Sequence, residues 1–215
     1  MKDVMAHLAA VTRRTGTATT PAGEGRTVTL RRVYRADIEE VWSALTTAER
    51  IQRWFLPISG ELKLGGRFQF EGNAGGEILA CEPPRLLRVS WVMGEPSPDT
   101  FSEVEVRLTP VEGGTEFELV HTATVPPEMW QQFGPGAVGV GWDGALLGLA
   151  QHLVYPEVDL SDEAKQAWMV SDEARQFYTA ASQAWGEALR ASGADDEFVA
   201  SAVAATTNFY APAAQ

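Results

Sequence analysis

The stretch from Val28 to Phe70 constrains the fold more than any other part of this sequence. It reads as a strand (VTLRRVYRA), a helix (DIEEVWSAL), a second short helix (TTAERIQRWF) and a hairpin hinged on Gly65 and Gly66 (ELKLGGRFQF). The apolar residues follow a helical spacing in the middle of this stretch and then change to a period of two residues. Few small β-rich domains interrupt their sheet so early, so this order predicts an α+β fold.

A series of alternating strands follows the hairpin and ends at Pro126 and Pro127. In these strands every second residue is apolar, and the residues between them are mostly charged or polar. Such alternation is typical of an antiparallel sheet with one buried and one solvated face. The apolar positions include Leu87, Val89, Trp91, Val104, Val106, Leu108, Phe117 and Leu119.

Residues 142–154 (WDGALLGLAQHLV) predict a long apolar helix after the sheet. Two glycines, Gly144 and Gly148, lie inside this helix, where glycine costs about 1 kcal/mol per position relative to alanine. Their presence indicates that a strand or a bound molecule approaches the helix closely. If the sheet wraps around this helix, an apolar pocket remains between the two.

The two ends of the chain differ from this central part. Residues 1–26 predict a short N-terminal helix or arm followed by a turn-rich linker (RRTGTATTPAGEG), with the ordered domain spanning 27–155. Residues 156–215 predict a helical extension, in which Ser161 and Ser171 each begin a helix as N-caps. Its apolar stripes must be buried against the main domain, against each other or in a homodimer.

Composition excludes several classes of function. The formal net charge of −12 disfavours nucleic acid and anionic membranes as partners, because both are bound by clustered Lys and Arg. The single cysteine, Cys81, rules out an internal disulfide and suits a reducing cytoplasm. We find no signal peptide and no run of about 18 apolar residues, so we expect a cytoplasmic protein without a membrane span.

Several motifs in their order resemble the SRPBCC (START-like, birch-pollen-allergen) superfamily. They are VTLRRVYRADIEEVWSALTTAERIQRWF, GGRFQF, GEILACEPPRLLRVSW, GGTEFELVHT and GWDGALLGLAQHL, and together they cover about residues 27–154. Within the superfamily they are most similar to the branch related to the C-terminal domain of the heat-shock protein 90 ATPase activator, and the helical extension resembles an addition used by bacterial members. The resemblance implies a helix-grip fold, in which a curved antiparallel sheet surrounds a long C-terminal helix and encloses an apolar cavity.

The sequence contains no set of residues with the spacing of a known catalytic motif. The three histidines are scattered, no metal-ligand motif is present, and we predict neither catalytic residues, a metal nor a cofactor. His121 shares the inward face of its strand, where it either contacts a ligand, transfers a proton, or is satisfied by a backbone carbonyl. Asp143 is either a buried functional carboxylate or, in the first turn of its helix, a partner of the helix dipole.

These observations favour a non-enzymatic protein that binds a small hydrophobic, lipid-like or polyketide-like molecule in its cavity. One alternative is an enzyme of the cyclase or hydrolase kind that uses the same cavity. Another is a chaperone-associated adaptor that resembles the heat-shock protein 90 ATPase activator. The residues predicted to contact a ligand are Trp42, Trp54, Phe55, Phe68, Phe70, Val89, Trp91, Val106, Phe117, Leu119, His121, Trp142, Leu146 and Leu149.

Overall fold

A computed structural model describes residues 1–95, 97–155 and 157–212. The strands are β1 (Thr12–Thr20), β2 (Gly23–Tyr34), β3 (Ile58–Gly60), β4 (Arg67–Phe70), β5 (Gly75–Glu82), β6 (Leu86–Ser90), β7 (Ser102–Val111) and β8 (Gly114–Ala123). The helices are α1 (Val4–Ala9), α2 (Ile38–Thr46), α3 (Ala48–Trp54), α4 (Pro127–Phe133), α5 (Gly136–Val154), α6 (Asp162–Met169), α7 (Asp172–Ala191) and α8 (Asp196–Tyr210).

The strands form one antiparallel sheet in the order β1-β2-β8-β7-β6-β5-β4-β3. The sheet curves around the long helix α5, and α2 and α3 lie at one end of the space between them. The Tyr34 hydroxyl on β2 donates to the Leu146 carbonyl on α5 at 3.2 Å, which ties the helix to the sheet. The architecture is the helix-grip fold that the resemblance implied.

The prediction of a turn-rich linker between residues 12 and 26 is wrong, because this segment forms β1 and the start of β2. The two strands pair from Thr12 opposite Arg31 to Thr20 opposite Gly23. The segment is rich in threonine, whose branched Cβ favours strands, and β1 lies at the edge of the sheet. An edge strand does not need the strict apolar alternation from which the inner strands were predicted.

The hairpin hinged on Gly65 and Gly66 is also different from the prediction. Residues 61–66 form a six-residue connection between β3 and β4, and not a two-residue turn. Gly65 has a positive φ of 75°, and a Cβ at Gly66 would lie 2.1 Å from the Glu61 carbonyl oxygen. Both glycines are therefore required by the local backbone, although in a longer loop.

Helix α5 begins at Gly136, six residues before the predicted start. Its N-terminal glycines allow the extension helices to approach: a Cβ at Gly139 would lie 2.1 Å from the Trp185 ring on α7. Farther along, Gly148 faces the Trp54 carbonyl oxygen at the end of α3, and Gly144 faces the Tyr178 hydroxyl on α7. The close approach inferred from the glycines is made by helices, and neither by a strand nor by a bound molecule.

The C-terminal helices pack on the main domain and on each other. Ser161 and Ser171 accept hydrogen bonds from the amides of Ala164 and Ala174, which confirms the predicted N-caps. The Phe177 and Trp185 side chains of α7 belong to the main hydrophobic core. A second, smaller core joins α7 to α8 and α4 through Leu189, Val199, Ala202 and Trp130. A homodimer through these helices stays a prediction.

Candidate functional site

A cavity of about 130 Å³ lies between α5 and the curved sheet, below α2 and α3. Its wall is built from the inward side chains of the alternating strands and from one face of α5. The lining residues are Leu45, Thr46, Ile51, Trp54, Phe55, Ile58, Leu62, Phe68, Phe70, Ile78, Cys81, Leu87, Val89, Trp91, Val104, Val106, Phe117, Leu119, Trp142, Ala145, Leu146 and Leu149.

The cavity wall is almost entirely apolar. The Thr46 hydroxyl already donates to the Trp42 carbonyl at 2.8 Å, and the Trp54 indole N–H donates to the Ala44 carbonyl at 3.0 Å. Among the lining residues, Cys81 alone carries a titratable side chain, a free thiol on β5. Such a surface offers dispersion contacts and desolvation to a guest molecule, but little hydrogen bonding.

Twelve of the fourteen residues predicted to contact a ligand line this cavity, and Trp42 and His121 do not. Trp42 packs against the core from α2 without reaching the cavity. The sequence analysis missed ten lining residues, among them Val104 and Leu87, which share the inward faces of their strands with predicted residues. Alternation alone could have found these two, whereas Thr46 and Cys81 carry no such signal.

Three aromatic side chains, Phe55, Trp91 and Trp142, separate the cavity from a second space on the outside; we call them the aromatic partition. The Phe55 and Trp142 rings are stacked at an interplanar angle of 16° with centroids 6.5 Å apart. The Trp91 and Trp142 centroids are 5.0 Å apart. These three residues line both spaces and are each only half-buried.

The second space, which we call the outer groove, has a volume of about 590 Å³. The β6–β7 connection, the ends of β7 and β8, α5 and the end of α8 surround it. Its lining residues are Phe55, Asn73, Trp91, Val92, Met93, Glu95, Ser97, Thr100, Phe101, Ser102, His121, Ala123, Thr124, Val125, Pro126, Ala137, Val138, Gly141, Trp142 and Tyr210.

His121 lies on the outer-groove side of the aromatic partition. The Trp142 indole N–H donates to His121 Nδ1 at 3.1 Å, and His121 Nε2 lies 2.9 Å from Ser102 Oγ. Because an indole N–H can only donate, Nδ1 is the acceptor, and the neutral ring carries its proton on Nε2. The predicted alternative of a backbone carbonyl partner is therefore wrong: two side chains satisfy both ring nitrogens.

Burial controls the titration of this histidine. The His121 side chain is 7% exposed, and desolvation lowers its pKa from 6.5 to about 4. A neutral imidazole is the form that accepts from Trp142 and donates to Ser102 at neutral pH. His121 therefore holds Trp142 in place in the aromatic partition.

Asp143 lies on a neighbouring face of α5 and does not line the cavity. Its carboxylate is 2% exposed, and Arg13 Nη2 on β1 lies 2.7 Å from Oδ1, while Trp185 Nε1 on α7 donates to Oδ2 at 2.9 Å. Desolvation raises the pKa of Asp143 above its ordinary value, against the opposing effects of Arg13 and Trp185. The predicted partnership with the helix dipole is wrong, because α5 begins two turns earlier.

Two findings concern metal sites and membrane-spanning helices. Within residues 1–95, 97–155 and 157–212, no group of three or more His, Cys, Asp or Glu is arranged to hold a metal ion. None of the helices in the same ranges is long and apolar enough to cross a membrane.

The family model for activator of Hsp90 ATPase homolog 1-like proteins matches residues 35–154, which is more than half of the chain. The chain belongs to this family. The match covers the segment from the end of β2 to the end of α5, and so includes all of the residues that line the cavity. It confirms the SRPBCC assignment made from the motifs.

Among solved structures, the family member is similar to CalU16 from Micromonospora echinospora. The solution structure of CalU16 is 38% identical, with a TM-score of 0.69, and the match covers 86% of this chain and 97% of that one. Its crystal structure is 44% identical over 74% of this chain and 96% of that one, with a TM-score of 0.58.

Protein MLL2253 from Mesorhizobium loti is 27% identical over 62% of this chain and 100% of that one, with a TM-score of 0.53. The Aha1 dimer from Colwellia psychrerythraea is 19% identical, covers 61% of this chain and 98% of that one, and has a TM-score of 0.51, so it shows the shared fold alone. No curated protein matches the sequence.

Proposed function

We propose that this family member is a non-enzymatic binding protein that holds a small hydrophobic molecule in the cavity between α5 and the sheet. The observation that carries the proposal is an apolar cavity left unfilled in an otherwise packed core. Protein interiors are normally packed to the density of organic crystals, so a space of about 130 Å³ is a departure from the rule.

The size of the cavity limits what it holds as it stands. Apolar engineered cavities of about 150 Å³ stay dry and bind benzene or xenon. The present cavity is of that order, so one six-membered ring fits without rearrangement. A ligand of drug size needs a pocket of about 300–1,000 Å³. Such a ligand is too large for this cavity alone and must also contact surfaces outside it.

The positions of the polar groups favour binding over the catalytic alternative. The two residues considered as proton donors or acceptors do not line the cavity: His121 is behind Trp142, and the Asp143 carboxylate is paired with Arg13. A lipid-like or polyketide-like ligand, a cytoplasmic location and a chaperone partner stay predictions of the sequence.

Benzene is the direct probe of the cavity. We expect benzene to raise the melting temperature in a concentration-dependent way, because a ligand that binds only the folded state stabilises it by mass action. Amide and indole N–H resonances of cavity residues shift in the same titration. Native mass spectrometry of the freshly purified protein then tests for a co-purified natural ligand.

A matched pair of variants tests where benzene binds. Ala145→Leu adds three carbons to the cavity wall and is expected to weaken benzene binding at least about tenfold, because the remaining space no longer holds a ring. Ala167→Leu makes the same change at an exposed position of α6 and leaves binding unaltered. Failure of benzene to bind the wild-type protein would refute the proposal.

A further inference from the structure

The outer groove shares its wall with the cavity, and this continuity makes the two spaces parts of one site. Phe55, Trp91 and Trp142 line both spaces, so a molecule that lies in the groove contacts the outer surface of the same rings that line the cavity. The groove volume of about 590 Å³ is within the range of small-molecule pockets. Aromatic rings favour planar partners, which stack on them in offset geometry.

A chain of hydrogen bonds ends in the groove with a free donor. The Trp142 N–H is donated to His121 Nδ1, and the His121 Nε2–H is donated to Ser102 Oγ. Because Ser102 Oγ accepts in this chain, its own hydrogen is available to another acceptor. Among the hydrogen bonds between described residues, Ser102 Oγ makes no other bond.

The charges around the groove select the ligand further. Neither Lys nor Arg occurs among its described lining residues, and the exposed Glu95 is the charged side chain there. A carboxylate or phosphate would therefore find no cation to balance its charge. The groove suits an uncharged molecule with an oxygen that accepts one hydrogen bond.

We propose that the outer groove is the second half of the ligand site and binds an uncharged, planar molecule whose carbonyl or ether oxygen accepts a hydrogen bond from Ser102. This inference rests on the proposed function, because a molecule in the groove packs on the outer side of the aromatic partition whose inner side lines the cavity. Tyr210 at the end of α8 also lines the groove, and its hydroxyl donates to the Ala137 carbonyl at 2.7 Å. The C-terminal extension thus builds part of the site.

The pair fluorenone and fluorene tests the groove, because the two planar molecules differ in one acceptor oxygen. We expect fluorenone to bind the wild-type protein about two- to tenfold more tightly than fluorene, the range that one net hydrogen bond supplies. Ser102→Ala should remove this difference while leaving fluorene binding unchanged. In the wild-type protein, the Trp142 indole N–H resonance should shift when fluorenone is added.

A second variant keeps the test valid if Ser102→Ala does not fold. Val138→Trp places a bulky ring at an exposed position in the groove, away from the hydrogen-bond chain. It should weaken fluorenone binding at least about tenfold by filling the space, and leave benzene binding unchanged. Isothermal titration calorimetry measures all three ligands on the same samples.

The ligands separate the two proposals. If benzene binds but fluorenone and fluorene bind equally well, or if Val138→Trp leaves fluorenone binding unchanged, the groove inference is overturned and the cavity proposal stands. If benzene does not bind at all, the cavity proposal itself fails. A preference for fluorenone that is lost in Ser102→Ala, together with benzene binding, supports both.

Discussion

The two faces of α5 are buried in opposite ways. On the side of the cavity, Ala145, Leu146 and Leu149 border an apolar space that the side chains leave empty. On the side of β1 and α7, Gly139 packs directly against the Trp185 ring. The Asp143 carboxylate there accepts hydrogen bonds from Arg13 and Trp185. The comparison shows that one buried helix can provide room for a ligand on one face and the fixed contacts that hold the helix on the other.

The ion pair on the filled face gives the largest expected effect. Asp143→Asn leaves the buried Arg13 guanidinium without a charged partner, and breaking such a pair costs about 3–5 kcal/mol. Urea denaturation measures the loss in the free energy of unfolding. Glu187→Gln is the control, because its pair with Arg190 is exposed and such pairs contribute about 0–1 kcal/mol. Equal losses in the two variants would remove the distinction between the faces.

The pH dependence of stability tests the histidine behind the aromatic partition. His121 titrates near 6.5 in the unfolded chain and at about 4 in the folded protein, so between these values the unfolded state binds more protons. The free energy of unfolding therefore rises with pH across this range. The contribution of about 3 kcal/mol is complete above pH 6.5 and is lost as the pH falls to about 4.

Denaturation at pH 4, 5, 6 and 7 measures this contribution as the difference between the wild-type protein and His121→Gln. Glutamine is uncharged throughout and offers both an acceptor and a donor. His7 and His152, whose pKa values burial also lowers, are present in both proteins and cancel in the difference. Parallel pH profiles for the two proteins would contradict the assignment of His121 as a buried neutral ring.

Adding carbon atoms to each face gives the smallest effect and the most direct comparison. Gly139→Ala adds one carbon that would lie 2.1 Å from the Trp185 ring, and we expect it to lower the free energy of unfolding by about 1–3 kcal/mol. Ala145→Leu adds three carbons toward the cavity and should cost less, because space is already present. Thermal and chemical denaturation of both variants measure the two changes in the free energy of unfolding. A larger decrease for Ala145→Leu than for Gly139→Ala would show that the cavity has no room for the added carbons.

The cavity wall was largely predictable from the sequence. Every second side chain of a strand lies on the same face of the sheet. Apolar residues at such positions, for example Val106 and Leu119, could therefore be assigned to the interior without knowing the fold. The helical spacing of Leu146 and Leu149 placed them together on α5 by the same reasoning. The serine caps of α6 and α7 were also predictable, because a cap depends on residues only three positions apart.

The contacts of the other face could not be predicted in this way. Arg13 and Asp143 are separated by 130 positions, and the strand that carries Arg13 has no apolar alternation. The same limit applies to His121: its strand pattern indicated an inward direction, but the Trp142 ring that separates it from the cavity belongs to a different element. Their partners depend on how distant elements pack.

The sequence alone determined the order of most helices and strands and their apolar faces, because periodicity and local turn chemistry act over a few residues, and the helix-grip fold was implied by the resemblance of its motifs to the SRPBCC superfamily. Only the tertiary structure decided that a space remains beside α5, that an aromatic partition borders it and that Asp143 is paired with Arg13. An unfilled volume is the sum of many side-chain contacts between elements far apart in the chain, so no single segment specifies it.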